Sequence, residues 1–591
     1  MPSIAQGPAS DTAPYRGPFP LPVTPLQHRF SFASNCSYID WYTSNGGVHH
    51  PIGKISTRKH VAVVGAGVGG LFTAQLLRGA GCDVTVLERA AHVGGRARSD
   101  PTHNEGGWVE QGAMRFPVHA LSAAIVKAHG FELLGGFPDP GVVRTGLSFE
   151  GEYAEWEPHA PPPGIFEDID AAWTAFIREG LSREGERVLA PIADIIDGLA
   201  AKKKEVINAA AAKYRAYVDV FQSQSLEQGT RSIFSGKQYD RVGPVVWSEA
   251  HFEADKALGR GSGGLGAVSQ RSMVAILELI INQMLVNQAS FGVKAEDGTS
   301  KHAPVQALPA RMAARLIKAG GKVRCGQRVT SLGLAPVDGV QKVLLNVKGA
   351  GREVYDDVVL AIPPNAAKTV LARSSGKLMS RRDLLDLNSL DTMNAVKLYV
   401  ELEHKHYMDQ PGFPRVLLSD TPANQSYLFE DAGGRGGSGV VTNLIAYQWG
   451  QAAGELAEQY EDKIALRDYI AGQMRANLCA GGGKWHEWID DILAAPSERI
   501  HYINWDKDPS ARGAFVLMLP GQEKVFARIS RRYLRLSEEE MHVHLVGDSY
   551  TRLGGWIEAA FVSASDFASA YVRAHGELFN ARLSPVVCNA Q

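Results

Sequence analysis

Gly65, Gly67 and Gly70 stand in G-x-G-x-x-G spacing directly behind the apolar run Val61 to Val64. Each glycine has its own task in binding a dinucleotide. The first permits a tight turn, the second lets the backbone approach a pyrophosphate, and the third lets the next helix pack on the strand with its N-terminal amides facing the anion. A second apolar run, Val84 to Leu87, ends at Glu88. That carboxylate lies about twenty residues past Gly67, where it reaches a ribose hydroxyl. A lone glycine pattern is weak. Here strand, turn, helix, strand and acid follow in order, so a bound dinucleotide is expected rather than a ligand-free turn.

The next residues narrow the cofactor. Gly94, Gly95 and Arg96 follow Glu88 in the pattern E-x5-GGR, which resembles the flavin amine oxidase superfamily. The resemblance implies FAD, with Gly95 and Arg96 at its pyrophosphate. Further on, Gly112-Ala113-Met114-Arg115-Phe116-Pro117 resembles the L-amino acid oxidases and the bacterial tryptophan and phenylalanine 2-monooxygenases. It implies that Gly112, Ala113 and Met114 run along the cofactor and that Arg115 takes the substrate's α-carboxylate. A planar guanidinium suits that task because it matches a carboxylate fork. The plainer alternative is an arginine in a structural ion pair. Phe137 to Trp156, FPDPGVVRTGLSFEGEYAEW, continues the resemblance to the 2-monooxygenases.

The same resemblance implies roles for residues far along the chain. Val329 would hold the adenine through its backbone. Lys397, in the alternating stretch Asn394 to Val400, would hold a water near the flavin's hydride-accepting nitrogen. Tyr427, in Gln425 to Phe429, would join Arg115 on the carboxylate. Trp505, within Ile503 to Phe515, would lie against the flavin ring. Gly547 and Asp548 would hold the ribityl–pyrophosphate part of FAD. In Gly554-Gly555-Trp556-Ile557-Glu558 the backbone at Gly555 would approach the ring, with Ile557 beside it and Trp556 as a substrate wall. An exposed strand lysine and packed core aromatics are the competing readings of Lys397, Tyr427 and Trp505. Tyr447 and Trp449 are read as core or pocket-wall residues.

These residues need elements to position them. The expected fold is α/β, α+β overall: a Rossmann-type FAD-binding domain, a mixed-sheet substrate domain and a helical insertion. The expected boundaries are an N-terminal extension over 1–58 and FAD-binding parts over 59–120, 266–365 and 501–575. Substrate-binding parts cover 121–164 and 366–500, a helical domain covers 165–265, and a tail covers 576–591. Apolar spacing near 3.6 supports the helical domain through Trp173, Phe176, Ile177, Ile192, Ile195, Ile196 and Leu199. The stretch Gly259 to Gly264 carries a GSGG resembling a pocket wall of the same subgroup. The aromatics of the extension, Phe30, Phe32, Tyr38, Trp41 and Tyr42, are expected on the domain surface.

Composition excludes several other functions. The 591 residues are 45% hydrophobic and 21% charged, so a sizeable core is available. A net charge of −2 argues against nucleic-acid binding. Five scattered cysteines, without a CxxC pair, fit reduced thiols rather than a disulfide frame or zinc site. Val274 to Val286 is interrupted by Glu278 and is too short to span a bilayer, so a buried helix is expected there. The start of the chain shows no signal pattern. A cytoplasmic protein without metal or membrane partner, and a homodimer, is expected.

The chemistry implied is oxidative deamination of L-amino acids, aromatic or large apolar ones favoured, with dioxygen as the second substrate and 2-oxo acid, ammonia and hydrogen peroxide as products. The alternative is an L-tryptophan or L-phenylalanine 2-monooxygenase, which oxidatively decarboxylates to the amide. An amine oxidase without a carboxylate clamp is disfavoured by Arg115, and a flavin-binding structural protein by the completeness of the motifs.

Overall fold

A computed structural model of the chain describes residues 38, 41–43 and 49–579, except 104–106, 118–120, 136, 201–203, 260–265, 283, 285–287, 295–297, 299, 404–405, 431–439, 481, 483–484 and 537–540. The GSGG stretch, Phe30, Phe32 and the tail beyond 579 lie outside the described residues.

Near-continuous apolar runs form strands buried on both faces, as parallel sheets require. The runs His60–Val64 and Asp83–Leu87 pair in parallel. Lys322–Arg324, Asp357–Leu360 and Val543–Leu545 complete a parallel five-stranded sheet. Its order is Lys322–Arg324, Asp83–Leu87, His60–Val64, Asp357–Leu360, Val543–Leu545, so segments from three distant parts of the chain build one layer. The helix Val68–Gly79 buries more than one stripe, because Leu71, Phe72, Thr73, Ala74, Leu76 and Leu77 are all enclosed. Its far side is covered by the C-terminal helix Ile557–His575, where Phe561 packs edge-on against Phe72 at 5.3 Å.

A second sheet of seven strands runs in the order Ile500–Asn504, Ala395–Glu403, Val440–Trp449, Gln425–Glu430, Val416–Ser419, Thr145–Phe149, Glu152–Trp156. All its pairings are antiparallel except that of Val416–Ser419 with Thr145–Phe149. The helices Ile165–Glu179, Ile192–Ala200, Lys204–Phe221, Leu226–Phe234 and Glu249–Leu258 follow the first visit to this sheet. Trp173, Phe176, Ile177, Ile192, Ile195 and Ile196 are buried there, as their spacing requires. The helix Met273–Ile281 is buried along its whole length, including Glu278.

The expectation of surface aromatics in the extension is overturned. Tyr38, Trp41 and Tyr42 are buried. Tyr42 shares a hydrogen bond with Ser565 at 3.2 Å and meets Phe72 edge-on at 5.8 Å. The reason is geometric: Tyr42 sits between the helices Val68–Gly79 and Ile557–His575, reaching Phe72 of one and Ser565 of the other, and Tyr38 stacks on Tyr42 at 6.4 Å. Among the described residues no helix is long and apolar enough to cross a membrane.

Candidate functional site

The strands of the five-stranded sheet end at one place. A cavity of about 730 Å³ opens where they stop, lined by Gly65 and Gly67 after His60–Val64 and by Glu88 after Asp83–Leu87. Gln327 follows Lys322–Arg324, Ile362 follows Asp357–Leu360, and Gly547 and Asp548 follow Val543–Leu545. Crevices at the carboxyl ends of parallel strands are where α/β folds bind ligands.

The glycines of the first turn differ in what they allow. Gly65 adopts φ +107°, and a Cβ there would lie 2.4 Å from the Ala361 carbonyl oxygen. A Cβ on Gly70 would lie 2.1 Å from the Gly65 carbonyl oxygen. Both glycines are demanded by the fold. At Gly67 the nearest atom to a Cβ would be 3.9 Å away, so that glycine keeps space open inside the cavity. The helices Val68–Gly79 and Ile557–His575 both begin at this cavity, through Val68 and Ile557, and present the positive ends of their dipoles. The Glu88 carboxylate is fixed at the wall, accepting from the Ala66 amide at 2.7 Å and the Ala90 amide at 2.8 Å. Arg96 grips Asp548 with both guanidinium nitrogens, one of them at 3.0 Å, and also donates to the Ala514 carbonyl. An open glycine cradle between two helix N-termini, with a fixed carboxylate and an arginine beside it, fits a dinucleotide. The residues that would hold FAD are Gly67, Glu88, Gly95, Arg96, Val329, Gly547, Asp548 and Ile557, all of which line the cavity.

Arg115 reaches the same cavity from just before the strand Phe116–Pro117. Its guanidinium donates to the Tyr427 hydroxyl at 2.7 Å. The Phe137 ring lies beneath it at 4.5 Å, and Asp139 stands 3.8 Å from Nη1. Its Nε is buried without a hydrogen-bond partner among the described residues. A guanidinium held from behind, with donor capacity left over, suits an anion arriving from the cavity.

Lys397 lies on the strand Ala395–Glu403, opposite Tyr447 in the register. Its Nζ donates to the Glu110 carbonyl at 2.9 Å, the Gly112 carbonyl at 2.6 Å and the Met114 sulfur at 3.4 Å, and sits over the Tyr447 ring at 5.0 Å. Burial pushes the ammonium down to about 7, against the pull of Glu110. Burial likewise pushes the Glu110 carboxyl up to about 7. Trp505 is buried in the cavity wall and donates from Nε1 to the Gln111 carbonyl at 3.1 Å. Gly112 must be glycine, since its Cβ would overlap the Arg96 carbonyl oxygen. Ala113, Met114, Gly555 and Trp556 complete the wall, Trp556 being half-buried where the helix Ile557–His575 starts.

One residue expected at the substrate stands apart. Tyr427 is fully buried, is not part of the cavity lining, and donates its hydroxyl proton to Gln425 Oε1 at 2.9 Å. It supports Arg115 from behind. Tyr447 and Trp449, left by the sequence as core or pocket-wall residues, both line the cavity. The physical reason lies in the sheet. A register shift between Leu398 and Tyr399 leaves Ile445 as an extra residue in the facing strand. Such a bulge re-aims the residues after it. No period-two reading of LIAYQW detects it.

The lining also has apolar members, beside charged ones such as Arg89, Arg98, Arg328, Arg373 and Arg512. Val268, Ile276, Leu279 and Leu517 join Trp556. The acids lining the cavity among the described residues are Glu88, Asp508 and Asp548, and each has partners: backbone amides for Glu88 and Asp508, Arg96 for Asp548.

The family model described as flavin containing amine oxidoreductase matches residues 68–570. A tryptophan 2-monooxygenase from Rhizobium rhizogenes is 27% identical over 88% of this chain and 67% of its own length. A tryptophan 2-monooxygenase from Pseudomonas savastanoi is 27% identical over 87% of this chain and 90% of its own. Among solved structures, a cofactor-binding variant of putrescine oxidase superposes with a TM-score of 0.59 at 15% identity, covering 87% of this chain and 99% of that one. That likeness concerns the fold.

Proposed function

The chain belongs to the flavin-containing amine oxidoreductase family, with FAD as its cofactor, and from this premise we propose that it oxidises L-amino acids with aromatic or large apolar side chains by the 2-monooxygenase route. In that route R–CH(NH2)–COOH and dioxygen give R–CO–NH2, carbon dioxide and water. The observation that carries the reading is Arg115, a guanidinium braced by Tyr427 and Phe137 that lines the same cavity as the dinucleotide cradle. The relatives named tryptophan 2-monooxygenase support the amide outcome over the oxidative deamination expected from the sequence.

FAD, held by Gly67, Glu88, Gly95, Arg96, Gly547 and Asp548, would supply the hydride acceptor for the amino acid's Cα and the electrons for dioxygen. The chain's residues orient and enclose. Arg115 holds the α-carboxylate and, together with an apolar wall that receives the side chain, fixes which face of Cα is presented. Orientation of this kind accounts for much of an enzyme's rate gain. Lys397, with an ammonium that titrates near neutrality, holds or releases a proton beside the cofactor. Val268, Ile276, Leu279, Leu517 and Trp556 receive an apolar side chain and exclude water from it. The absence of an unpartnered acid on the cavity wall among the described residues disfavours lysine or arginine as substrate.

Product analysis tests this. The protein turned over with L-tryptophan and with L-phenylalanine in air is expected to yield the carboxamide and carbon dioxide, read by mass spectrometry. A stoichiometric yield of 2-oxo acid, ammonia and hydrogen peroxide would instead establish the oxidase outcome.

A further inference from the structure

Asp139 belongs to the turn Phe137-Pro138-Asp139-Pro140, and the proposed reaction gives Asp139 itself no role. The turn is rigid. Pro138 and Pro140 fix their own φ angles and restrict their neighbours. The Asp139 amide donates to the Phe137 carbonyl at 2.7 Å, and the Asp139 carbonyl accepts from the Val142 amide at 3.0 Å. Two side chains of this turn hold Arg115: the Phe137 ring at 4.5 Å and the Asp139 carboxyl at 3.8 Å from Nη1. Asp139 is 3% exposed, and its Oδ1 is buried without a hydrogen-bond partner among the described residues. At 3.8 Å the pair is ionic but not hydrogen-bonded.

A buried carboxylate facing the arginine that must receive a second carboxylate is an unusual arrangement. Two anions around one guanidinium in a dry site cannot both keep their charge cheaply, so one takes a proton. Burial pushes the Asp139 carboxyl up to about 6, with Arg115 pulling the other way. An amino acid's carboxyl ionises well below that, so Asp139 is the group that yields. The charged or titratable groups facing it are Arg115 and Tyr427; Tyr447 and Lys397 interact with Arg115 and not with Asp139 itself.

We propose that Asp139 is the resident counter-ion and positioning residue of Arg115, and that it takes up one proton when the substrate carboxylate docks. The inference rests on the reading of Arg115 as the carboxylate clamp. Empty, the clamp is neutralised and aimed by Asp139. Occupied, it is neutralised by the ligand, and Asp139 becomes a neutral acid. Carboxylate binding is therefore coupled to proton uptake and weakens as pH rises above the Asp139 titration.

The probe is 3-phenylpropanoate, an aromatic carboxylate without an amine, followed by perturbation of the flavin spectrum in the holoenzyme between pH 6 and 8. Wild-type Kd is expected to rise about fiftyfold from pH 6 to pH 8, the slope steepening toward tenfold per unit at the upper end. In Asp139→Asn the change over the whole range should be less than threefold. Calorimetric titration of the wild type in two buffers of different ionisation enthalpy supplies a second readout that needs no variant, with uptake of close to one proton at pH 7.5. An unaltered slope in Asp139→Asn, or no proton uptake by the wild type, overturns the proposal while the clamp stands. Binding indifferent to Arg115→Met overturns the clamp and this proposal with it.

Discussion

Burial lowers the Lys397 ammonium to about 7, with Glu110 opposing the shift and Arg115 adding to it. In the unfolded chain the same group holds its proton to about 10.5. Between those values the unfolded state binds more protons, so stability contributed at this site rises with pH. Lys397→Met removes the titration, though it leaves the Gly112 carbonyl without its lysine donor. The wild-type Tm is therefore expected to climb relative to that of the variant from about pH 7 to 9.5, read by scanning calorimetry. Parallel curves would mean the lysine keeps its ordinary pKa. Residues inside contiguous motifs are legible in the sequence, because Gly65 to Arg96 and Gly112 to Arg115 encode their geometry in spacing alone. Tyr427 and Tyr447 are not separable that way. Both sit on strands among apolar neighbours; a bulge at Ile445, in the strand of Tyr447, turns that ring to the face Tyr427 also occupies, and the tertiary packing leaves Tyr447 but not Tyr427 in the cavity lining. Asp139 is visible there only as part of a motif, since its meaning depends on Arg115 lying beside it.

At the scale of elements, the first turn and the segment before the last helix separate folding from binding. Gly67→Ala places a methyl in open cavity space, 3.9 Å from its nearest neighbour. Gly554→Ala drives a methyl into the Val516 carbonyl oxygen, so backbone must move. The first variant is expected to fold with an unchanged apoprotein Tm but to retain less than about a tenth of the wild-type flavin, a loss of about 1.4 kcal/mol or more in binding. The second should lose both flavin and thermal stability. Flavin-to-protein absorbance ratios and thermal scans of the apoproteins distinguish them. Full flavin retention by Gly67→Ala would show that the second glycine is not at the pyrophosphate. The parallel strands are readable from their unbroken apolar runs, as is the helix spacing from Trp173 to Ile196. The burial of Tyr38, Trp41 and Tyr42 is not, because a Pro- and Gly-rich segment carries no periodicity and Tyr42 packs between two helices far apart in the chain, Val68–Gly79 and Ile557–His575.

On the scale of the whole molecule, one cavity is assembled from the ends of a parallel sheet, one face of a seven-stranded sheet and the start of the last helix. The parallel sheet brings the glycine cradle, the seven-stranded sheet brings Lys397, Tyr447 and Trp449, the last helix brings Ile557 with Trp556 before it, and Arg115 enters from just before Phe116–Pro117. The sequence carries the reaction class because these parts leave separate motifs. It does not carry the choice between amide and 2-oxo acid, because none of its motifs differs between the two outcomes. The central claim is that Arg115 selects amino acids by their carboxylate. Rapid-mixing measurement of anaerobic flavin reduction tests it most directly, comparing L-tryptophan with tryptamine and L-phenylalanine with phenethylamine. The wild type is expected to be reduced at least about a hundredfold more efficiently by each amino acid, in line with roughly 2–5 kcal/mol for a buried charge pair, and Arg115→Met should erase the difference. Equal reduction by amine and amino acid, or a preference surviving in Arg115→Met, would contradict it.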